Sequence, residues 1–225
     1  MTPTTLRYGP HPAQLVDLYG PRPTLTVLHG GYWRERYDRS YLEPLAREFQ
    51  RRGTDCALVE YRRVGGGGGW PATADDVTSA LRLLAELHGP QALLGHSAGG
   101  HLALLAALRV PEAVRRVVTV APVADLGTAH RLGLSDSAVA ELLGPELESA
   151  LPDADPLRLP APTAPVTLLH GTADTDVPLA QSRSYARAKG ARLLELPEVD
   201  HFAPLTPGHA SFETLVGELA EENAG

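Results

Sequence analysis

Short apolar runs alternate with longer amphipathic stretches along most of the chain. Residues 24–29 (TLTVLH), 55–61 (DCALVEY), 91–94 (QALL), 115–120 (RRVVTV), 165–169 (PVTLL) and 191–196 (ARLLEL) read as buried strands, with a weaker candidate at 14–18. Between them, residues 38–51 place Leu42, Leu45, Ala46 and Phe49 at helical spacing and stop at Gly53. A second amphipathic helix covers 72–87, beginning near Thr73 and ending before Gly89-Pro90, and further helices are predicted at 100–108, 179–189 and 208–220. This alternation predicts one α/β domain over residues 1–225, a mostly parallel central sheet flanked by helices on both faces.

Two stretches break the pattern. Gly65 to Gly69 is a run of five glycines before Trp70-Pro71, read as a flexible loop. Residues 122–164 are rich in Pro, Ala, Leu and Asp, with short helical pieces around 136–143. An insertion of that length between two strands is expected as a cap over a site, against the plainer reading of a surface excursion.

Composition narrows the partners. The 225 residues carry a formal net charge of −7 without a basic stripe, which argues against nucleic acid. One cysteine, Cys56, excludes an internal disulfide. The polar, proline-bearing stretch from Met1 to Pro12 has no signal-like apolar core and no segment is long enough to span a bilayer, so a cytoplasmic protein acting on a small molecule is expected. The nine histidines form no H-x-x-x-H or H-E-x-x-H pair, so no metal is expected, and the chemistry of the candidate residues below needs no organic cofactor.

The chemistry is concentrated in three strand ends. Gly95-His96-Ser97-Ala98-Gly99 is a G-x-S-x-G turn between an apolar run and a helix, which exposes the Ser97 hydroxyl at a helix N-terminus. A serine needs a base and the base needs an orienting carboxylate. Later strands are followed by His170-Gly171-Thr172-Ala173-Asp174-Thr175-Asp176-Val177-Pro178 and by Asp200-His201-Phe202. His201 is the candidate base, and Asp174, Asp176 and Asp200 are candidate acids. His96 is expected to point away from the nucleophile, His101 to serve the core, and His29 and His170 to order loops. His29-Gly30-Gly31-Tyr32-Trp33 follows an early strand, and the N–H groups of Gly31, Tyr32 and Ala98 are candidate oxyanion donors. Tyr32, Trp33 and Trp70 are candidates to line a pocket, with core packing as the competing reading.

Together HGGYW, GHSAGG and HGTAD…DH, in that order, resemble the α/β-hydrolase superfamily from about His29 to the final helix. The HG-x-x-D-x-x-V-P segment resembles the one that carries the acid there, which selects Asp174. HGGYW and GHSAGGHLA look like the serine-dependent kynurenine formamidases and related small esterases. Tyr32 stands where the lipase branch has a third glycine. The resemblance implies an α/β-hydrolase fold and hydrolysis of a small ester or aryl formamide through Ser97, Asp174 and His201. A thioesterase, lactonase or acyltransferase would use the same residues, and an inactive ligand-binding module would share only the fold. Neither a large N-terminal cap nor a propeller domain is expected.

Overall fold

The computed structural model describes residues 2–220. In chain order the elements are β1 (Thr4–Arg7), β2 (Leu15–Tyr19), β3 (Leu25–Leu28), α1 (Glu43–Arg51), β4 (Cys56–Glu60), α2 (Ala72–His88), β5 (Gln91–His96), α3 (Ala98–Arg109) and β6 (Val114–Val120). They continue through α4 (Leu126–Arg131), α5 (Leu134–Leu143), α6 (Leu147–Ala154), β7 (Val166–Gly171), α7 (Ala180–Lys189), β8 (Arg192–Leu196) and α8 (Ala210–Ala220). The strands form one eight-stranded sheet in the order β1-β2-β4-β3-β5-β6-β7-β8. Strand β2 runs antiparallel to both β1 and β4, and the remaining pairs are parallel.

Alternation along the central strands divides the core in two. Leu25, Val27, Cys56, Leu58, Ala92, Leu94, Val118 and Leu169 face a layer with Leu45 and Phe49 of α1 and Phe212 and Leu215 of α8. Leu28, Ala57, Val59, Leu93, Val117 and Leu168 face the opposite layer, with Val77, Leu81 and Leu84 of α2, Leu102 and Leu105 of α3 and Tyr185 of α7. Both faces are therefore covered, as the near-continuous apolar strands require.

Four differences from the sequence-based expectation have local causes. Strand β1 was not anticipated, because TTLR is polar and lies at the sheet edge, where only Leu6 is half-buried. The segment before α1 is not a continuous helix. A short 3-10 turn at Arg39–Leu42 is capped by the Asp38 carboxylate accepting from the Ser40 N–H at 2.9 Å, and Pro44 then starts α1. The glycine run is a hydrogen-bonded turn rather than a free loop: the Gly66 and Gly68 N–H groups both donate to the Arg63 carbonyl, and the Gly69 N–H to the Thr73 hydroxyl. Thr73 in turn donates to the Arg62 carbonyl at 2.7 Å, so it ties this turn to α2. Finally, residues 122–164 hold three helices that bury Leu126, Ala138, Val139, Leu142 and Leu151 in the core of the sheet face they cover.

Candidate active site

Ser97 occupies the bend between β5 and α3 with φ 54° and ψ −118°, a conformation that costs a non-glycine residue roughly 1–3 kcal/mol. The surroundings hold it there. Its N–H donates to the Val120 carbonyl at 2.9 Å, and its carbonyl accepts from Gly100, His101 and Val123. The turn is also pressed against the end of β3: a Cβ on Gly99 would lie 2.2 Å from the Leu28 carbonyl oxygen, so only glycine fits. Ser97 is 2% exposed and opens onto a cavity of about 600 Å³ that His201 also lines.

His201 lies just past β8, and Asp174 past β7. The imidazole Nδ1 is 2.6 Å from Asp174 Oδ2. Backbone bonds bring the two loops together, with the Ala173 N–H donating to the Val199 carbonyl and the Thr172 N–H to the Leu196 carbonyl. Asp174 Oδ1 accepts from the N–H groups of Asp176 and Val177 at 2.9 and 2.8 Å. Burial alone would raise the pKa of this carboxyl. The bonds from His170, His201 and the backbone outweigh it and hold Asp174 well below the ordinary carboxylate range. It is thus a charged acceptor, and it orients His201 with the Nδ1–H toward itself.

The rival carboxylates do other things. Asp200 caps the turn after His201, accepting from the Phe202 and Ala203 N–H groups. Asp176 is exposed on the cavity rim, and its carbonyl accepts from the Tyr32 hydroxyl at 2.7 Å. Ligand-capable atoms of Asp174, Asp176 and His201 lie within 4.8 Å of one another, close enough to hold a metal ion. Two of the three, Asp174 and His201, are bonded to each other.

The loop after β3 reverses through three consecutive residues with positive φ, Gly31 (96°), Tyr32 (49°) and Trp33 (58°). The reversal sends the Tyr32 hydroxyl across to the Asp176 carbonyl and the Trp33 ring into the core. Gly30 is packed against Ser97, where an added Cβ would meet Ser97 Cβ at 2.9 Å. Among the described residues, the N–H groups of Gly31, Tyr32 and Ala98 have no acceptor. All three belong to segments that border Ser97.

Neither tryptophan lines this cavity, which corrects the sequence-based assignment. Trp33 is fully buried, edge-on to His101 with ring centroids 5.1 Å apart. Trp70 lies in a separate groove with Pro71 and Leu105, under the Arg109 guanidinium at 4.9 Å. The aromatic lining comes instead from Tyr32, Tyr37, Tyr41 and Phe202, the last 50% exposed. Tyr37 and Tyr41 were missed because their segment reads as the start of a helix. The signal for Phe202 was its place next to His201.

Three histidines behave as their positions suggest. His101 is buried and donates from Nε2 to the Ala154 carbonyl at 2.8 Å, and burial pushes its pKa down to about 4. His170 Nδ1 meets the Ser182 hydroxyl, while Nε2 meets the Val177 carbonyl at 2.9 Å and lies 3.4 Å from Asp174 Oδ2. His170 therefore orders the loop that carries Asp174, a contact that sequence spacing did not reveal. His29 bonds to Glu60 at 2.9 Å beneath the Gly30-Gly31 loop.

The probable carboxylic ester hydrolase LipM of Mycobacterium tuberculosis is 30% identical over 76% of this chain and 45% of its own length. Esterase LipC of the same organism is 28% identical over 89% of this chain and 60% of its own. The chain thus spans about half the length of the curated relatives it matches. The crystal structure of esterase B from Lactobacillus rhamnosis superposes with a TM-score of 0.79 at 23% identity, covering 97% of this chain and 83% of that one. That likeness identifies the α/β-hydrolase fold. No helix among the described residues is long and apolar enough to cross a membrane. Residues 16–188, most of the chain, match the BD-FAE family, and the chain belongs to it.

Proposed function

We propose that the protein is a serine hydrolase that cleaves a small carboxylic ester or an aryl formamide through Ser97, His201 and Asp174. The observation that carries this reading is the placement of His201, bonded at Nδ1 to a charged Asp174 at 2.6 Å while it shares one cavity with the strained Ser97. The names of LipM, LipC and esterase B support an ester as the substrate class.

In the first step Ser97 Oγ attacks the carbonyl carbon and its proton passes to His201 Nε2. Asp174 stabilises the resulting imidazolium. The carbonyl oxygen becomes an oxyanion held by the N–H groups of Gly31, Tyr32 and Ala98, each donor supplying roughly 3 kcal/mol of transition-state stabilisation. Collapse breaks the bond to the leaving alcohol or arylamine, which takes the proton from His201. Water then attacks the acyl- or formyl-serine with His201 as base, releasing the acid and restoring Ser97. The aromatic walls from Tyr37, Tyr41 and Phe202 suit a flat leaving group and support including aryl formamides such as N-formylkynurenine.

The test is hydrolysis of a short p-nitrophenyl ester series beside N-formylkynurenine, by wild type and Ser97→Ala. We expect Ser97→Ala to fold normally and to lose about 10³-fold or more of the turnover. Turnover that survives in that variant would overturn the mechanism. A fluorophosphonate probe that leaves Ser97 unlabelled in wild type would instead favour a ligand-binding module. Preference for the formamide over every ester would place the enzyme among the formamidases, and a thioester or lactone series with and without an alcohol acceptor resolves the remaining acyl-transfer activities.

A further inference from the structure

His96 precedes the nucleophile, yet its side chain does not simply pack away from the site. The Gly30 N–H donates to Tyr41 Oη at 2.7 Å. An oxygen that accepts this bond is free to turn its own proton elsewhere, and Tyr41 Oη lies 2.7 Å from His96 Nδ1. Nδ1 accepts from Tyr41, because a neutral His96 must carry its proton on Nε2, the nitrogen turned to a carbonyl that can only accept. That nitrogen faces the backbone carbonyl of His201 at 3.2 Å. The three bonds run in one direction: Gly30 N–H to Tyr41, Tyr41 O–H to His96, His96 N–H to the His201 carbonyl. The His96 and His201 rings lie beside each other, with centroids 4.5 Å apart.

We propose that Tyr41 and His96 form a hydrogen-bonded strut that sets the spacing between the oxyanion loop and His201, making them positioning residues for the reaction. The inference rests on the hydrolase reading above. His201 is fixed at its ring by Asp174, and the turn after it by Asp200. Among the described residues, His96 supplies the one side-chain bond to the His201 backbone. Because His96 is the chain neighbour of Ser97, and both it and Tyr41 line the same cavity, the strut passes beside Ser97 and reaches a loop on either side of it. A shift of about 1 Å between base, nucleophile and oxyanion donors costs on the order of 100-fold in rate. Neutrality suits this role, since a second cation beside His201 would oppose the imidazolium formed during acylation. Burial, with His201 nearby, keeps the His96 pKa well below the ordinary value for imidazole.

Tyr41→Phe keeps the ring and its packing on Phe202 but removes both hydrogen bonds. His96→Leu removes the middle of the strut. The experiment measures p-nitrophenyl acetate kinetics of both variants and of the double variant, together with melting temperatures. The low-field proton resonance of the His201–Asp174 bond is followed in parallel by NMR. We expect each single variant to lose about 10- to 100-fold in kcat with KM changed by less than about threefold. The double variant should lose no more than the worse single one. The low-field resonance should shift or broaden in Tyr41→Phe although neither His201 nor Asp174 is altered. Because that signal needs no turnover, it judges the strut even if wild type fails to hydrolyse the ester in a Ser97-dependent way, which would be the failure of the hydrolase reading. If His96→Leu does not fold, Tyr41→Phe decides the matter alone. A wild-type kcat with an unmoved resonance in Tyr41→Phe would overturn the strut, as would losses that multiply in the double variant.

Discussion

Gly31 shows what a single residue contributes to the site. At φ 96° it holds a conformation that L side chains rarely adopt, and an added Cβ would lie 2.3 Å from Tyr37 Cβ. The reversal that frees the Gly31 and Tyr32 N–H groups depends on that position. Gly31→Ala is therefore expected to lower ester turnover on the order of 100-fold, as losing an oxyanion donor does, while the melting temperature falls by only a few degrees. Kinetics and a thermal scan on the same preparation check this, and turnover within twofold of wild type would show that these donors take no part. The placement of candidate residues was legible wherever they are tied to a strand end: Ser97, Asp174 and His201 each follow a strand, and their order along the chain matches their order across the sheet. Pocket residues were not. Trp33 and Trp70 are large and near motifs, but backbone reversal buries one and the other lies against α3 in a separate groove. The partnership of Tyr41 with His96, 55 positions apart, arises only from tertiary contact.

At the scale of elements, Arg34 connects the loop after β3 to the inserted helices. Its guanidinium donates to both Glu141 oxygens at 2.6 and 2.9 Å, to the Ser135 hydroxyl at 3.0 Å and to the carbonyls of Ser135 and Asp136 at 2.6 and 3.2 Å. Those carbonyls belong to a left-handed stretch, Ser135 to Ser137, with φ between 47° and 63°. Left-handed conformation costs L residues roughly 1–2 kcal/mol each, so this turn needs an external clamp. Ser135 also lines the cavity. Arg34→Met should release the turn: we expect faster limited proteolysis within residues 133–137 and a loss of about 1–3 kcal/mol, which is a few degrees in melting temperature for a chain of this size. Unchanged cleavage there would mean that the helices hold the turn unaided. The helices themselves were only partly legible. The apolar positions of α5 stand out, whereas α4 has six residues and α6 contains Pro152, too short and too interrupted for periodicity to register. Strand β1 was hidden for the opposite reason, since it buries too little to need an apolar pattern.

Across the whole molecule, the antiparallel edge is joined to the site by buried charge. Glu60, at the end of β4, accepts from His29 Nε2 at 2.9 Å, from the Tyr61 N–H at 3.0 Å, from the Arg39 N–H at 3.2 Å and from the Arg63 guanidinium. Arg39 also reaches Asp17 of β2 at 2.7 Å, and Asp17 accepts from Thr5 of β1. Two carboxylates, Glu60 and Asp17, joined through Arg39, thus link β1 and β2, the segment before α1, and the loop carrying Gly30 and Gly31. Burial raises the pKa of Glu60, but the bonds from His29 and Arg63 outweigh it and the net direction is down from 4.5. A carboxyl whose folded pKa is depressed contributes stability that is complete above its unfolded value and is lost as pH falls through the folded one. Asp174 acts in the same sense, with an ordinary value of 3.8. Wild type is therefore expected to begin losing stability as pH drops below about 4.5. Glu60→Gln removes the charge at every pH and leaves Arg63 and Arg39 facing a neutral amide, which should cost about 3–5 kcal/mol at neutral pH. As pH falls below 4.5, Glu60 takes up a proton first in the unfolded chain, so the difference between the two proteins shrinks toward the depressed folded value. Denaturant unfolding of both at pH 7 and at pH 3.5 measures that difference. A gap of equal size at both pH values would mean that the carboxylate charge is not what binds the edge to the site.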